Sequence, residues 1–279
     1  MRQVAAVLIL IAGAAGAQTL EVPATIRQGS AMKVYGPSGT ASARMGERTV
    51  RLFPQADGRS FGLMPVPVLT KPGEYQIEAL DAAGTALASA PVRVVDAHFP
   101  KQNVVIPESV AELKATPDET DDAAEFRKIV SDRRLWAEPF EAPLPGCRTS
   151  AFGVQRYLNG KPTGDYHGGI DQRGAAGAPI RAVADGVVKI VRDWKLHGRT
   201  VGIDHGQGLE SIYLHMSKLA VTEGATVKAG DVIGYAGSTG RSTAPHLHWS
   251  LYANGVPVNP LDWVRVAPCT AATKASKKK

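Results

Sequence analysis

Two histidines stand one residue apart in the segment TAPHLHWSLY, residues 243–252. In an extended strand, residues i and i+2 project from the same face, so His246 and His248 would lie side by side. Two imidazoles on one face suggest a metal site or a proton-handling pair. A random chain of this composition contains roughly 0.17 His-x-His pairs, so the pair alone is weak evidence and its meaning depends on the rest of the chain.

A second histidine motif supplies further candidate ligands. Six of the seven histidines fall within residues 148–263, and one of them opens the segment HGGID. His167, Asp171 and one histidine of the 246/248 pair would supply N, O and N donors, the set that suits a catalytic zinc with a fourth position left for water. The two glycines after His167 would let the backbone turn so that both side chains converge. The sequence has no H-E-x-x-H motif, which would supply a glutamate as the general base. A histidine is therefore expected to take the proton from the metal-bound water.

The elements that must position these side chains read as short strands. Residues 147–269 are rich in Gly and β-forming residues, which predicts an antiparallel all-β domain. His205 and His197 fall in a turn and a loop and are expected to be structural or solvated, and His98 has no evident role. Four Gly-containing loops are expected to wall an open groove, around residues 160–168, 194–208, 237–244 and 253–257.

The preceding part of the chain divides into two further regions. Residues 18–96 contain short strands punctuated by Gly and Pro, which favours a β-sandwich-like antiparallel domain. Residues 97–146 form a helical, Pro-rich linker. Helices are predicted for PESVAELKA and for PDETDDAAEFRKIVSDRRLW, with Thr116 as N-cap and Pro117 at the first helical position. The fold class is therefore mainly all-β.

One apolar stripe runs along the second predicted helix. Phe126, Ile129 and Val130 recur at i, i+3 and i+4, so they share a face. We expect this stripe to pack on a domain of the same chain.

The two ends of the chain carry further signals. Residues 1–17 combine Arg2, an apolar stretch and the small residues AGA, the layout of a secretory signal peptide. Its apolar stretch of about 14 residues is too short to span a bilayer, so no stable membrane insertion is expected. Residues 270–279 form a basic tail within a chain of net charge +6. Aromatic residues make up only 6% of the chain and no recognition motif occurs, so nucleic-acid binding is not expected.

The chain has two cysteines, Cys147 and Cys269. An even pair in an exported protein suggests a disulfide. Such a bridge would close a loop of roughly 120 residues and stabilise the fold by roughly 4–5 kcal/mol.

Several motifs together resemble a known family. RTSAFGVQRYLNGKPTGDYHGGIDQRGAAGAPIRAVADGVV, GIDHGQGLESIYLHMS, VKAGDVIGYAGSTGRSTAPHLHW and NGVPVNPLDW occur in the order found in the M23 (lysostaphin/LytM-type) zinc endopeptidases. The resemblance covers residues 148–263. The upstream regions also resemble secreted proteobacterial members that carry an M23 N-terminal domain.

The resemblance implies roles for five residues. His167, Asp171 and His248 would hold one zinc ion per chain. His215 and His246 would stay unligated and act as catalytic acid and base, in a split that sequence leaves open. The implied reaction is hydrolysis of peptidoglycan cross-link peptides by a metal-activated water in the periplasm or outside the cell, with D-Ala–diaminopimelate as the expected bond and Gly-rich bridges as the alternative.

A different class of function also fits the motifs. A catalytically inactive LytM-type domain would serve as a scaffold or as an activator of another cell-wall hydrolase. Such domains typically lose metal ligands, whereas this chain retains the set. The sequence leaves two questions open. One is whether an unidentified regulatory protein binds, and the other is whether the N-terminal domain or linker covers the groove.

Overall fold

The computed structural model describes residues 19–265 and Cys269. The predicted signal peptide, residues 1–17, and the predicted basic tail, residues 270–279, lie outside the described residues. Strands dominate what is described, in agreement with the predicted fold class. Across the same residues, no helix combines the length and the apolar character that a membrane crossing requires.

The N-terminal region packs two sheets face to face. One sheet has the order β1-β8-β7-β3-β4 and the other the order β2-β6-β5. Neighbours are antiparallel except β1 and β8, which run parallel. The strands are β1 (Thr25–Arg27), β2 (Ala31–Gly36), β3 (Ser42–Met45), β4 (Arg48–Arg51), β5 (Phe53–Pro54), β6 (Ser60–Pro65), β7 (Gly73–Leu80) and β8 (Ala86–Val95).

Strand β6 is buried on both faces and joins the two halves of the molecule. Met64 packs into the core between the two N-terminal sheets. Phe61 and Leu63 project the opposite way, into the larger core of the C-terminal region. The Leu63 carbonyl also accepts a hydrogen bond from the Asn254 side chain at 2.7 Å. The N-terminal region is therefore packed against the C-terminal region and not merely tethered to it.

The connecting region contains one strand and two helices: β9 (Lys101–Val104), α1 (Glu108–Ala111) and α2 (Pro117–Phe126). The predicted start of α2 is confirmed, because Thr116 caps it and accepts a hydrogen bond from the Glu119 N–H at 3.3 Å. Strand β9 pairs in parallel with a C-terminal strand, so this part of the connection extends a sheet.

Helix α2 ends at Phe126, and the predicted helical extension to Trp136 is wrong. The chain beyond it bonds instead to a turn of the C-terminal region. The Ser131 carbonyl accepts from the Gln207 N–H at 2.7 Å, and the Leu135 N–H donates to the His205 carbonyl at 2.9 Å. These long-range backbone hydrogen bonds replace those that a longer helix would form.

The apolar stripe of the predicted helix is only partly realised. Phe126 packs with Ile190, Trp194, Ile212 and Leu214 on one face of the C-terminal sheet. Ile129 lies at the edge of this cluster, whereas Val130 is exposed. Because the helix has already ended, the periodicity of 3.6 no longer places Val130 beside Phe126.

The C-terminal region is built on an eight-stranded antiparallel sheet. Its order is β10-β13-β21-β17-β16-β15-β19, with β22 added to β21. In chain order, the strands of the region, within and outside this sheet, and the final 3-10 helix are β10 (Arg148–Ser150), β11 (Gln155–Leu158), β12 (Lys161–Tyr166), β13 (Ile170–Arg173), β14 (Pro179–Arg181), β15 (Gly186–Trp194), β16 (Gly198–Gly206), β17 (Leu209–Met216), β18 (Lys218–Leu219), β19 (Thr226–Val227), β20 (Val232–Tyr235), β21 (His246–Ala253), β22 (Val256–Val258) and η1 (Pro260–Asp262).

A disulfide closes the ends of this region. Cys147 and Cys269 are bonded, with their Cα atoms 4.5 Å apart. The Cys147 carbonyl accepts a hydrogen bond from the Arg173 N–H at 2.9 Å, which ties the bridge to β13. The bridge thus anchors the chain next to one of the strands that carry candidate ligands.

Candidate metal centre and active site

The register of β13 against β21 brings three candidate ligands together. Asp171 lies directly opposite His248, so their side chains share one face of the sheet. His167 stands just before β13, beyond two glycines. A Cβ atom at Gly169 would lie 2.4 Å from both the Ser250 Oγ and a backbone carbonyl, so only glycine allows this close approach.

The three side chains form a buried N, O, N donor group. Ligand atoms of His167, Asp171 and His248 all lie within 4.8 Å of one another. The His248 Nδ1 is 2.8 Å from Asp171 Oδ1 and 3.0 Å from His167 Nε2. Two imidazole nitrogens and a carboxylate oxygen converging in this way can hold a metal ion.

The protonation states suit a metal. Burial raises the pKa of the Asp171 carboxyl, but the neighbouring histidines and the Arg156 guanidinium outweigh it and hold that pKa well below its usual range. Burial lowers the pKa of His248 to about 4. At neutral pH the aspartate is therefore ionised and His248 is neutral, which are the forms that bind metal.

In His167 and His248, the ring nitrogen that points away from the other donors also has a polar contact. The His167 Nδ1 donates to the Ala151 carbonyl at 2.7 Å, which leaves Nε2 as its lone-pair nitrogen. The His248 Nε2 lies 2.9 Å from the Ser250 Oγ, so Nδ1 is the nitrogen that faces the other ligands. Such outer contacts orient the rings of metal-binding histidines.

Two further histidines lie beside this group. The rings of His215 and His246 have their centroids 4.8 Å apart, and the His215 ring is 6.4 Å from that of His248. His215 has a φ of 64°, in the left-handed region that is uncommon for a residue with a side chain. Strained backbone of this kind clusters at functional sites.

A backbone carbonyl fixes the tautomer of each of these two rings. The His215 Nδ1 donates to the Thr239 carbonyl at 2.8 Å, and the His246 Nδ1 donates to the Ala244 carbonyl at 2.8 Å. Their Nε2 atoms are left as acceptors. Burial, with the charges of His246 and His248, lowers the pKa of His215 to about 3. At neutral pH the His215 ring is therefore neutral, with the lone pair on Nε2.

The site opens into a cavity of about 1170 Å³. All four loops predicted to wall a groove contribute to it, through residues 163–168, 194–197, 241–245 and 256–257. The predicted loop at 194–208 is shorter than expected, because most of it forms β16. The connecting region supplies another part of the cavity wall, including Ile106, Val110, Leu113 and Phe126.

A buried carboxylate fastens that wall. Glu119 of α2 is 1% exposed and accepts hydrogen bonds from the backbone N–H groups of Leu196 and His197, at 3.1 and 3.0 Å. It also pairs with the His197 Nδ1. His197 thus joins α2 to a cavity loop. His205 lies elsewhere, buried between the Asp185 carbonyl and the Ser211 hydroxyl.

Sequence reasoning missed two polar residues at the metal group. Arg156 of β11 forms an ion pair with Asp171. Ser250 supports His248, and its position two residues later on the same strand was a usable signal. The role of Arg156 had no such signal, because β11 meets β13 only through the tertiary fold.

Comparisons with known proteins agree with this architecture. Residues 165–260 match the model of Peptidase family M23. A crystal structure from Pseudomonas aeruginosa described as a peptidase M23 has a TM-score of 0.66 and 27% identity, covering 85% of this chain and 94% of that one. Residues 165–260 therefore form an M23 peptidase domain, and the four candidate histidines and Asp171 all lie within it.

Two curated relatives carry named activities. The DD-carboxypeptidase/endopeptidase Mpg of Neisseria meningitidis is 45% identical over 111 residues, which are 39% of this chain and 26% of that protein. The peptidoglycan DD-endopeptidase ShyA of Vibrio cholerae is 43% identical over 93 residues, 33% of this chain and 22% of that protein. The matches thus span about a quarter of the length of these relatives.

Proposed function

We propose that this protein is a zinc-dependent endopeptidase that hydrolyses peptide cross-links of peptidoglycan, with D-Ala–diaminopimelate as the bond cleaved. The observation that carries the proposal is the placement of the His167, Asp171 and His248 donor atoms within 4.8 Å of one another, beside two unligated histidines. One zinc ion per chain fits this donor set, because catalytic zinc takes three protein ligands of the N and O type.

Zinc, when bound, supplies Lewis acidity that polarises the scissile carbonyl and lowers the pKa of the attacking water. The chain supplies the proton transfers. With Nδ1 of His215 and His246 engaged by carbonyls, each Nε2 is free to accept a proton from the nucleophile or to pass one to the leaving amine. The two rings are close enough to share one substrate, and we leave their acid and base roles unassigned.

The substrate assignment is supported by the relatives and by the shape of the site. Mpg and ShyA, which are named as DD-type endopeptidases, match 39% and 33% of this chain at 45% and 43% identity. The open cavity admits an extended peptide between loops. An inactive scaffold or activator is the alternative, but the complete ligand set argues against it.

We further propose that the protein is exported and works in the periplasm of a Gram-negative cell. The bonded pair Cys147 and Cys269 supports an oxidising compartment, since such bridges are rare in the cytosol. A regulatory protein partner is compatible with this location.

The test is a digest of purified sacculi with the zinc-loaded protein, with and without a zinc chelator. We expect mass spectrometry to show cross-linked dimers converted to monomers only without the chelator. His167→Ala should be inactive, whereas His98→Asn, at an exposed histidine outside the cavity, should behave as wild type. If the zinc-loaded wild type releases nothing, the endopeptidase assignment fails and the scaffold alternative gains.

A further inference from the structure

Arg241 is a cation on the cavity wall that the chemistry described above does not use. It lies in the loop between β20 and β21, and its backbone N–H donates to the Leu196 carbonyl at 2.8 Å, which holds the loop in place. Its side chain is half-buried and lines the cavity. Within residues 19–265 and Cys269, no group accepts a hydrogen bond from its guanidinium.

A second guanidinium lines the same cavity. One terminal nitrogen of Arg156 forms an ion pair with Asp171. The Arg156 Nε is buried and has no hydrogen-bond partner in the described chain. Burial and the charge of Arg156 lower the pKa of Arg241, and Asp165 on the facing β12 opposes this shift. Leaving a desolvated N–H without an acceptor costs free energy, so the Arg156 Nε favours an incoming acceptor, and the positive charge of Arg241 favours one that is an anion.

A DD-type bond, which joins two centres of D configuration, places an anion next to the scissile nitrogen. In a D-Ala–diaminopimelate cross-link, the carbon attached to the scissile nitrogen carries a free carboxylate. The same holds for a terminal D-Ala–D-Ala bond. In an internal glycine bridge, the corresponding carbonyl is already tied up in the next amide, so no charge stands there.

We propose that Arg241, assisted by the field of Arg156, binds the free carboxylate on the carbon next to the scissile nitrogen and so selects DD-type bonds. This inference rests on the proposed peptidoglycan endopeptidase function. A guanidinium suits the task, because its planar fork donates two parallel hydrogen bonds to a carboxylate. Arg241 is a specificity-determining residue here, whereas the zinc ligands and histidines act on the bond itself.

The experiment uses two purified muropeptide dimers that differ at one group. In one dimer the carboxylate beside the scissile nitrogen is free, and in the other it is amidated. We expect wild type to cleave the free acid with a kcat/KM about 10- to 100-fold higher, the range of one charge-assisted interaction. Arg241→Gln should lose this preference, mainly through KM, and should cleave the amidated dimer as wild type does.

Two variants make the readout specific. Arg241→Lys keeps the charge without the fork and should retain part of the preference. Arg93→Gln, at an exposed arginine of the N-terminal sheet, should change nothing. Equal cleavage of both dimers by wild type overturns the inference, as does an equal loss on both dimers in Arg241→Gln.

Failure of the proposed function gives a different result. If wild type cleaves neither dimer, calorimetric titration of the same two dimers into the zinc-loaded full chain tests the inference directly. Tighter binding of the free acid that Arg241→Gln abolishes supports the carboxylate site, and equal binding of both dimers rejects it.

Discussion

The Nδ1 of His215 lies 2.8 Å from the carbonyl oxygen of Thr239, and this contact decides which nitrogen of the ring faces the cavity. A carbonyl only accepts, so Nδ1 carries the proton and Nε2 holds the lone pair. The loop that supplies Thr239 continues to His246, whose Nδ1 donates to Ala244 in the same manner. One loop therefore sets the tautomers of both unligated histidines.

Loss of either unligated histidine should separate catalysis from metal binding. We expect His246→Ala and His215→Asn to keep stoichiometric zinc and to lose about 10²-fold or more in turnover, the usual size of a general acid–base contribution. Asparagine is chosen at position 215 because it tolerates the φ of 64°. Turnover on muropeptide dimers and bound zinc are both measured. Near wild-type turnover removes that residue from the mechanism.

Loss of a ligand should remove both properties. His167→Ala and Asp171→Ala each delete one donor of the buried group, so we expect neither variant to retain zinc or activity. Elemental analysis of the purified variants checks this, with His98→Asn as the histidine control. Stoichiometric zinc in either variant contradicts the ligand assignment.

Ser250 should tune the metal affinity without being a ligand. Ser250→Ala removes the hydroxyl that lies 2.9 Å from the His248 Nε2, so the ring loses its outer support. We expect zinc affinity to fall about 10- to 100-fold, as for other outer contacts of metal-binding histidines. Competition with a chromophoric chelator measures it, and the exposed Ser89→Ala is the matched control. Unchanged affinity shows that other contacts orient His248.

Glu210 should make stability depend on pH. Both of its carboxyl oxygens are buried without a hydrogen-bond partner in the described chain, and burial raises its pKa to about 9. The folded state thus keeps a proton that the unfolded chain releases above a pKa of about 4.3. Its contribution to stability is fully present below that pH and is lost as pH rises toward 9.

Glu210→Gln removes the titration and keeps the shape. As pH rises from about 5 to about 8, we expect the unfolding free energy of wild type to fall relative to this variant by up to about 1.4 kcal/mol per pH unit, and its Tm to fall with it. The exposed Glu74→Gln should follow wild type throughout. Parallel Tm curves for wild type and Glu210→Gln would falsify the buried-proton account.

Glu119 should control access to the cavity. Its carboxylate fastens α2 to residues 196–197, and α2 forms part of the cavity wall. Glu119→Ala leaves two backbone N–H groups without this acceptor, at a cost of about 1–3 kcal/mol for each buried group, so the wall is expected to loosen. Since every 1.4 kcal/mol is tenfold in a population, this cost is enough to raise the population with a loosened wall at least about tenfold, and faster digestion of sacculi is expected.

Asp121→Ala, at an exposed position of the same helix, is the control for that change. Turnover of sacculi and the Tm are measured for both variants. If Glu119→Ala loses stability without any gain in turnover, the wall does not restrict the substrate.

Much of the site chemistry could be read from the chain alone. His-x3-Asp and His-x-His, within strands rich in Gly, predicted a three-ligand metal group, and the family resemblance added His215 and His246 as unligated histidines. The start of α2 followed from local capping by Thr116. These features depend on residues that are near one another in sequence, where side-chain period and capping rules apply directly.

The early end of α2 shows where such rules stop. A helical pattern continued toward Trp136, but the backbone hydrogen bonds that join Ser131 and Leu135 to the turn at 205–207 were available only in the folded chain. Tertiary contacts therefore overrode local propensity.

The sequence by itself determined the β-rich character and the kinds of side chain available as donors, and its resemblance to a known family predicted which histidines stay unligated. Only the tertiary structure decided that Asp171 faces His248 across β13 and β21, that Glu119 fastens α2 over the cavity, and that Arg241 lies there without an acceptor in the described chain. Strand register and the packing of distant segments follow from burial across the whole molecule, and no local pattern encodes them.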